Sequence, residues 1–138
     1  MAAGGIADRR AFNAAIALGA EGVYCGTAFL MSKESRMAEN VKEAILKANA
    51  QDLLLFRTIP AYYRSIPGKR ANELVEMDKA GASNEELGKK MGGFANLRKS
   101  MLEGDMDNGY VSVGHGISHI HKIKSAKEIV DELTRDIR

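Results

Sequence analysis

The sequence predicts an α/β fold built on parallel strands, and three observations lead to it. The turn Gly4-Gly5 follows the short start Met1-Ala2-Ala3 and opens onto a helix-forming run. A second strand-like stretch, Gly22–Cys25, comes after that helix and closes in another turn, Gly26-Thr27. The connection between helix and second strand is short, as in an αβ unit of a parallel sheet.

Two glycine turns on neighbouring parallel strands gather backbone N–H groups around one point, with the positive end of a helix dipole behind them. This is the arrangement that holds phosphate above strands seven and eight of many (β/α)8 barrels. A phosphate or a phosphorylated cofactor is the ligand class it implies. The chain, at 138 residues, is shorter than the roughly 200–250 residues of a full barrel.

Composition sets further bounds. The chain is 45% apolar and 28% charged with a net charge of +2, ordinary for one globular domain. Lys and Arg are interspersed with Asp and Glu, which argues against a nucleic-acid-binding face. The single Cys25 excludes an internal disulfide and suits a reducing compartment. No apolar run approaches the ~20 residues of a membrane span, and no basic-then-apolar leader opens the chain. The expectation is a cytoplasmic protein that binds neither membrane nor nucleic acid.

The elements follow in order. Met1–Ala3 is too short for a strand alone, so either upstream residues are missing or the chain pairs with another copy or a partner. Asp8 is the N-cap of a helix reaching about Leu18, with Phe12, Ala15 and Ile16 on one face and Gly19 as its stop. Gly22–Cys25 reads as a buried strand. The next helix is predicted from Ser32 or Ser35 to about Ala48. It buries Met37, Val41, Ala44, Ile45 and Ala48 and turns Lys42, Glu43 and Lys47 outward. Leu53–Thr58 reads as a strand. Pro60 and Pro67 bound an irregular segment holding Tyr62, Tyr63, Arg64 and Arg70.

Helices are then predicted over 72–79, 84–91 and 94–102, the second capped by Ser83 with Glu86 three residues on. Asp107-Asn108-Gly109 is a turn and Tyr110–Val113 is extended. A last helix starts at the capping box Ser125–Glu128, with Ile129, Val130, Leu133 and Ile137 as its buried stripe.

Several blocks together resemble a known family. Ala2–Asp8, Ala17–Val23, Cys25–Phe29 with Lys33-Glu34-Ser35, Glu103–Gly109, Val113-Gly114 and Ser125–Val130 are similar, in order, to the C-terminal half of the nitronate monooxygenase family. This family, also called 2-nitropropane dioxygenase, includes the flavin-dependent enoyl-ACP reductases. The resemblance implies the C-terminal part of an FMN-binding (β/α)8 TIM barrel with a mostly helical lid. On that plan residues 1–30 are the end of strand seven, helix seven and strand eight. Residues 31–110 are the lid, and 111–138 are the return segment and last barrel helix. Gly4, Gly5, Gly26 and Thr27 match the positions that bind the FMN phosphate. The implied substrate is a nitronate or an enoyl thioester, with NAD(P)H as reductant in the second case.

Three departures from the family pattern stand out. Arg9-Arg10-Ala11 occupies the place where a glycine is usual, Ala28 stands in place of Arg, and His115 follows Gly114 where Gln is usual. His115 is therefore a candidate substrate-side residue. The family's catalytic His lies in a segment upstream of the blocks matched here, so no catalytic residue is assigned within these 138 residues. The resemblance leaves two readings open: part of a flavin oxidoreductase, inactive alone, or a non-enzymatic half-barrel that self-associates around a phosphate site.

Other chemistry-bearing residues have simpler accounts. His115, His119 and His121 lack neighbouring Cys, Asp or Glu to complete a metal's ligand set, so no metal is assigned. Cys25 has no base beside it and reads as core. Tyr62, Tyr63, Arg64 and Arg70 read as a substrate entrance suited to anionic or acyl-carrier substrates, or as a self-packed surface loop.

Overall fold

Ala2–Ala3 (β1) and Val23–Tyr24 (β2) pair in parallel, Ala2 opposite Val23 and Ala3 opposite Tyr24, as the paired turns require. The structure, a computed structural model, describes residues 1–58 and 61–137. Between these strands runs α1 (Arg9–Ala17), which starts where Asp8 accepts a hydrogen bond from the Ala11 N–H at 2.8 Å. Gly19, at φ +95°, ends it.

The buried face predicted for this unit is narrower than expected. Phe12 is buried, but Ile16 is 40% exposed, Leu18 90% and Tyr24 69%. Cys25 is half-buried rather than deep in the core. The cause is local: β2 has β1 on one side, and among the described residues no strand lies on its other side.

The second glycine turn leads into a single helical turn, α2 (Thr27–Leu30), and α3 (Glu39–Lys47) starts later than the predicted Ser32 or Ser35. Those serines cap turns instead. The Ser32 hydroxyl accepts from the Ser35 N–H at 3.1 Å, and the Ser35 hydroxyl from the Met37 N–H at 3.2 Å. Such bonds compete with helix formation. Val41 and Ile45 are buried as predicted, but Lys42 is buried too, at 1% exposure. Its ammonium donates to the Ser35 carbonyl at 3.1 Å and to Glu39 at 3.0 Å, so the stem packs while the charge stays paired.

Leu54–Arg57 (β3) follows a capped 3-10 turn at Ala50–Asp52 and pairs antiparallel with Tyr62–Ser65 (β4). The segment predicted to be irregular is thus half of a hairpin. Pro60, one of its expected bounds, lies outside the described residues. Helices α4 (Lys69–Lys79), α5 (Asn84–Met91) and α6 (Gly93–Met101) cover the hairpin side, α4 beginning at Lys69 rather than Asn72. The Ser83–Glu86 capping box is present.

Residues 110–113 then run beside β4, with the Val111 N–H donating to the Ser65 hydroxyl at 2.9 Å. A 3-10 turn, His115–His119, and the capped helix α7 (Ala126–Leu133) close the fold. Ile129 and Leu133 of α7 are buried. Val130 and Ile137, predicted in the same stripe, are 45% and 57% exposed.

Three apolar clusters hold these elements. Phe12, Ala28, Ile129 and Leu133 join α1, α2 and α7. Phe56, Leu74, Leu87 and Tyr110 join the hairpin to α4 and α5. Between them lies a larger cluster around Met31, Val41, Ile45, Ile66, Val113 and Ile117. Among the described residues no helix is long and apolar enough to cross a membrane.

Candidate functional site

Gly4, Gly5, Gly26 and Thr27 rim one cavity of ≈ 200 Å³, together with Gly114 and Gly116. The first turn needs glycine for its backbone, since Gly4 and Gly5 lie at φ +87° and +73°, where a side chain is strained. Gly116 is needed for close approach. A Cβ there would come within 3.0 Å of the Ala7 side chain, so the 3-10 turn lies directly on the first glycine loop.

Gly26 answers to neither demand. Its φ is −81°, and a Cβ on it would meet no protein atom within 4 Å. The space in front of it is left open by the protein. The N–H groups of Thr27 and Ala28 open the first turn of α2, where a helix provides no acceptor for them. The Thr27 hydroxyl oxygen accepts from the Gly114 N–H at 3.0 Å, which leaves its own proton to donate. Apart from Ile6 and Tyr24, the cavity lining is glycine and Thr27, with no carboxylate.

Asp8, three residues beyond the first glycine turn, is committed elsewhere. Its carboxylate caps α1, pairs with Arg10 at 3.0 Å and lies 4.0 Å from His119 Nδ1. Burial works against its charge, but the Ala11 N–H and the Arg10 guanidinium outweigh burial and hold its pKa below the ordinary Asp value. The positive end of α1 is therefore already met by Asp8, and α2 supplies the helical start that faces the cavity.

A wider groove of ≈ 440 Å³ adjoins the cavity through Gly26, Thr27 and Gly114, and Tyr62, Tyr63 and Arg64 form its far wall. Arg70, grouped with them in the sequence, is elsewhere. Its guanidinium donates to the carbonyls of Asn108 and Lys90 at 2.8 and 2.6 Å. His115 is exposed and lies between the cavity-lining Gly114 and Gly116. Cys25 packs against the cluster of Phe12, Ala28, Ile129 and Leu133, and burial pushes its thiol pKa up, away from reactivity. The contribution of Gly114 and Gly116 was not read from the sequence as part of the glycine site. Only the fold brings residues so distant in the chain to the turns.

Comparison with known proteins gives a consistent result. A family model described as nitronate monooxygenase matches residues 1–136. The chain is similar to probable nitronate monooxygenases of Staphylococcus aureus strains Newman and JH9, 47% identical to each over 55 residues. Those residues are 40% of this chain and 16% of each relative. It is also similar to solved structures of FabK from Thermotoga maritima. One has a TM-score of 0.84 and 34% identity, over 96% of this chain and 42% of that one. The M276A mutant has a TM-score of 0.77 and 33% identity, over 97% and 39%. The architecture is thus part of a (β/α)8 barrel with attached helices, and the chain spans about two fifths of the solved relatives it matches.

Proposed function

The chain belongs to the nitronate monooxygenase family, and on that footing we propose that it supplies the flavin phosphate site of an FMN-dependent oxidoreductase. The observation that carries the reading is the convergence of Gly4, Gly5, Gly26 and Thr27 on one glycine-lined cavity without a carboxylate. The residues present fit a phosphate: open space before Gly26, two N–H groups at the start of α2, and a hydroxyl proton on Thr27. Bound FMN would supply the redox chemistry. This chain's own part is to fix the phosphate, and with it the register of the flavin, and to wall the site against water.

The segment plan follows the same reading. Residues 1–30 and 111–138 are barrel pieces, consistent with the cluster of Phe12, Ala28, Ile129 and Leu133 being drawn wholly from them. Residues 31–110 are the lid, whose hairpin and α4–α5 cluster lies within that range. His115, at the family's Gln position, is the substrate-side residue in this proposal. The whole protein oxidises a nitronate, and a catalytic His from outside these residues completes the site, supplied by the rest of the barrel or by another chain.

A second reading, reduction of an enoyl thioester by NAD(P)H, is favoured by one feature. The ≈ 440 Å³ groove beside the cavity is larger than a small nitronate requires. The test for the flavin reading is gel filtration after incubation with FMN. Flavin absorbance co-eluting with protein of one defined size supports it, and colourless protein of mixed size overturns it for this chain.

A further inference from the structure

We propose that Asn108 is a site of covalent self-modification, converted by attack of the Gly109 nitrogen to aspartate or isoaspartate at a rate that Asp105 controls. The site lies outside the glycine-lined cavity and draws on none of its residues. Asn108-Gly109 is the one Asn-Gly pair in the sequence, and every other asparagine precedes a residue that carries a side chain. Glycine leaves its nitrogen unshielded and its backbone free to turn toward the preceding side chain.

Both reacting groups are available. Asn108 is exposed, and among the described residues the Gly109 N–H makes no hydrogen bond. One set of contacts opposes the reaction. The Asn108 side-chain amide donates to the two oxygens of Asp105 at 2.9 and 3.2 Å, and the Asn108 N–H donates to one of them at 3.1 Å. These bonds hold the Asp105 pKa below the ordinary Asp value, so the acceptor is ionised at neutral pH and the clamp is charge-assisted. Ring closure requires the amide to leave Asp105 and turn onto the Gly109 nitrogen.

In that step the Gly109 nitrogen bonds to Asn108 Cγ, its proton passes through water to the departing amide nitrogen, and ammonia leaves. Water then opens the five-membered imide at either carbonyl, giving aspartate with the original main chain or isoaspartate with a longer one. Neither product fits the native loop. Aspartate sets a second carboxylate where the amide donated to Asp105. Isoaspartate lengthens the main chain before Gly109, which has no slack: a Cβ on Gly109 would overlap the Asn96 carbonyl oxygen and lie 2.7 Å from Ser100 Cβ.

The same loop holds three helices together. Gly68 gives α4 no side-chain cap, and the Asp107 carbonyl and carboxylate accept instead from the Arg70 and Lys69 N–H groups at 3.2 and 3.4 Å. The Arg70 guanidinium then spans from the Asn108 carbonyl to the Lys90 carbonyl in the last turn of α5. Conversion of Asn108 therefore loosens the joint of α4, α5 and α6.

The experiment incubates the purified chain, wild type and Asp105→Ala, at physiological pH and temperature. Conversion is read at each asparagine by peptide mass mapping that separates aspartate from isoaspartate. Native wild type is expected to convert at Asn108 and at no other asparagine, about tenfold or more slowly than the same chain unfolded in urea. Folded Asp105→Ala is expected to convert about tenfold faster than wild type. The comparison of native with unfolded wild type needs no variant and decides the question even if Asp105→Ala does not fold. No conversion of the native chain at Asn108, a native rate equal to the unfolded rate, or a folded Asp105→Ala rate equal to wild type overturns the proposal. Converted protein, separated by its added negative charge, is expected to unfold at lower urea than unconverted protein, and equal midpoints overturn the loosened joint.

Discussion

The Thr27 hydroxyl accepts a hydrogen bond from the Gly114 N–H at 3.0 Å, tying the turn after β2 to the residue just before the 3-10 turn His115–His119. The two residues are far apart in the chain, and the bond closes one side of the glycine-lined cavity. Thr27→Val keeps the shape and removes the acceptor, leaving a partly buried N–H unsatisfied. It is expected to cost about 1–2 kcal/mol in urea unfolding and to weaken FMN binding about tenfold or more. Thr27→Ser should restore most of both.

Gly26 and Gly4 separate binding from folding. Gly26→Ala puts a methyl into space the protein leaves open, at an ordinary φ of −81°. Its unfolding midpoint should stay near wild type while FMN affinity falls. Gly4→Ala forces a side chain to φ +87° and is expected to lose about 1–2 kcal/mol of stability as well. Chemical denaturation alongside FMN titration distinguishes the two.

Lys42 is predicted to be replaceable by shape rather than by charge. It is 1% exposed, but its partner Glu39 is 75% exposed, so removing the ammonium does not strand a buried carboxylate. Lys42→Met should stay within about 1 kcal/mol of wild type, whereas Lys42→Ala, which empties the stem's space, should cost about 2–3 kcal/mol.

The cap of α7 gives an acid dependence. The Ser125 N–H and hydroxyl, with Lys33 nearby, lower the Glu128 pKa from 4.5 to about 2. A carboxylate lowered on folding stabilises the native state above its unfolded pKa and loses that contribution as pH falls through the folded one. Stability should therefore decline from about pH 4.5 toward pH 2. Glu128→Gln should flatten that part of the profile, measured by denaturation at a series of pH values.

What the sequence revealed was what depends on neighbours in the chain. The Ser83–Glu86 and Ser125–Glu128 boxes and the Asp8 cap are local bonds, and each is present where its residues predict it. Strand β4 was hidden because Tyr62–Ser65 becomes a strand only by pairing with β3 and with residues 110–113. Periodicity placed Lys42 outside, since an apolar stem under a paired ammonium looks the same in sequence as a solvated lysine. Ile16 reads as part of a buried face for the opposite reason: apolar character signals a face to be covered, and within these residues nothing covers it. That the turns at Gly4-Gly5 and Gly26-Thr27 line one cavity follows from their place on neighbouring parallel strands, while Gly114, Gly116 and the hairpin wall of the groove become visible only in three dimensions.

Gly4, Gly5, Gly26 and Thr27 are proposed to hold the phosphate of FMN. The most direct measurement is a 15N chemical-shift map of the chain titrated with FMN and, separately, with riboflavin, which lacks the phosphate. Saturable shifts at those four amides are expected with FMN, and much weaker ones with riboflavin. Equal responses to the two ligands, or FMN shifts centred away from the glycine turns, would contradict that assignment.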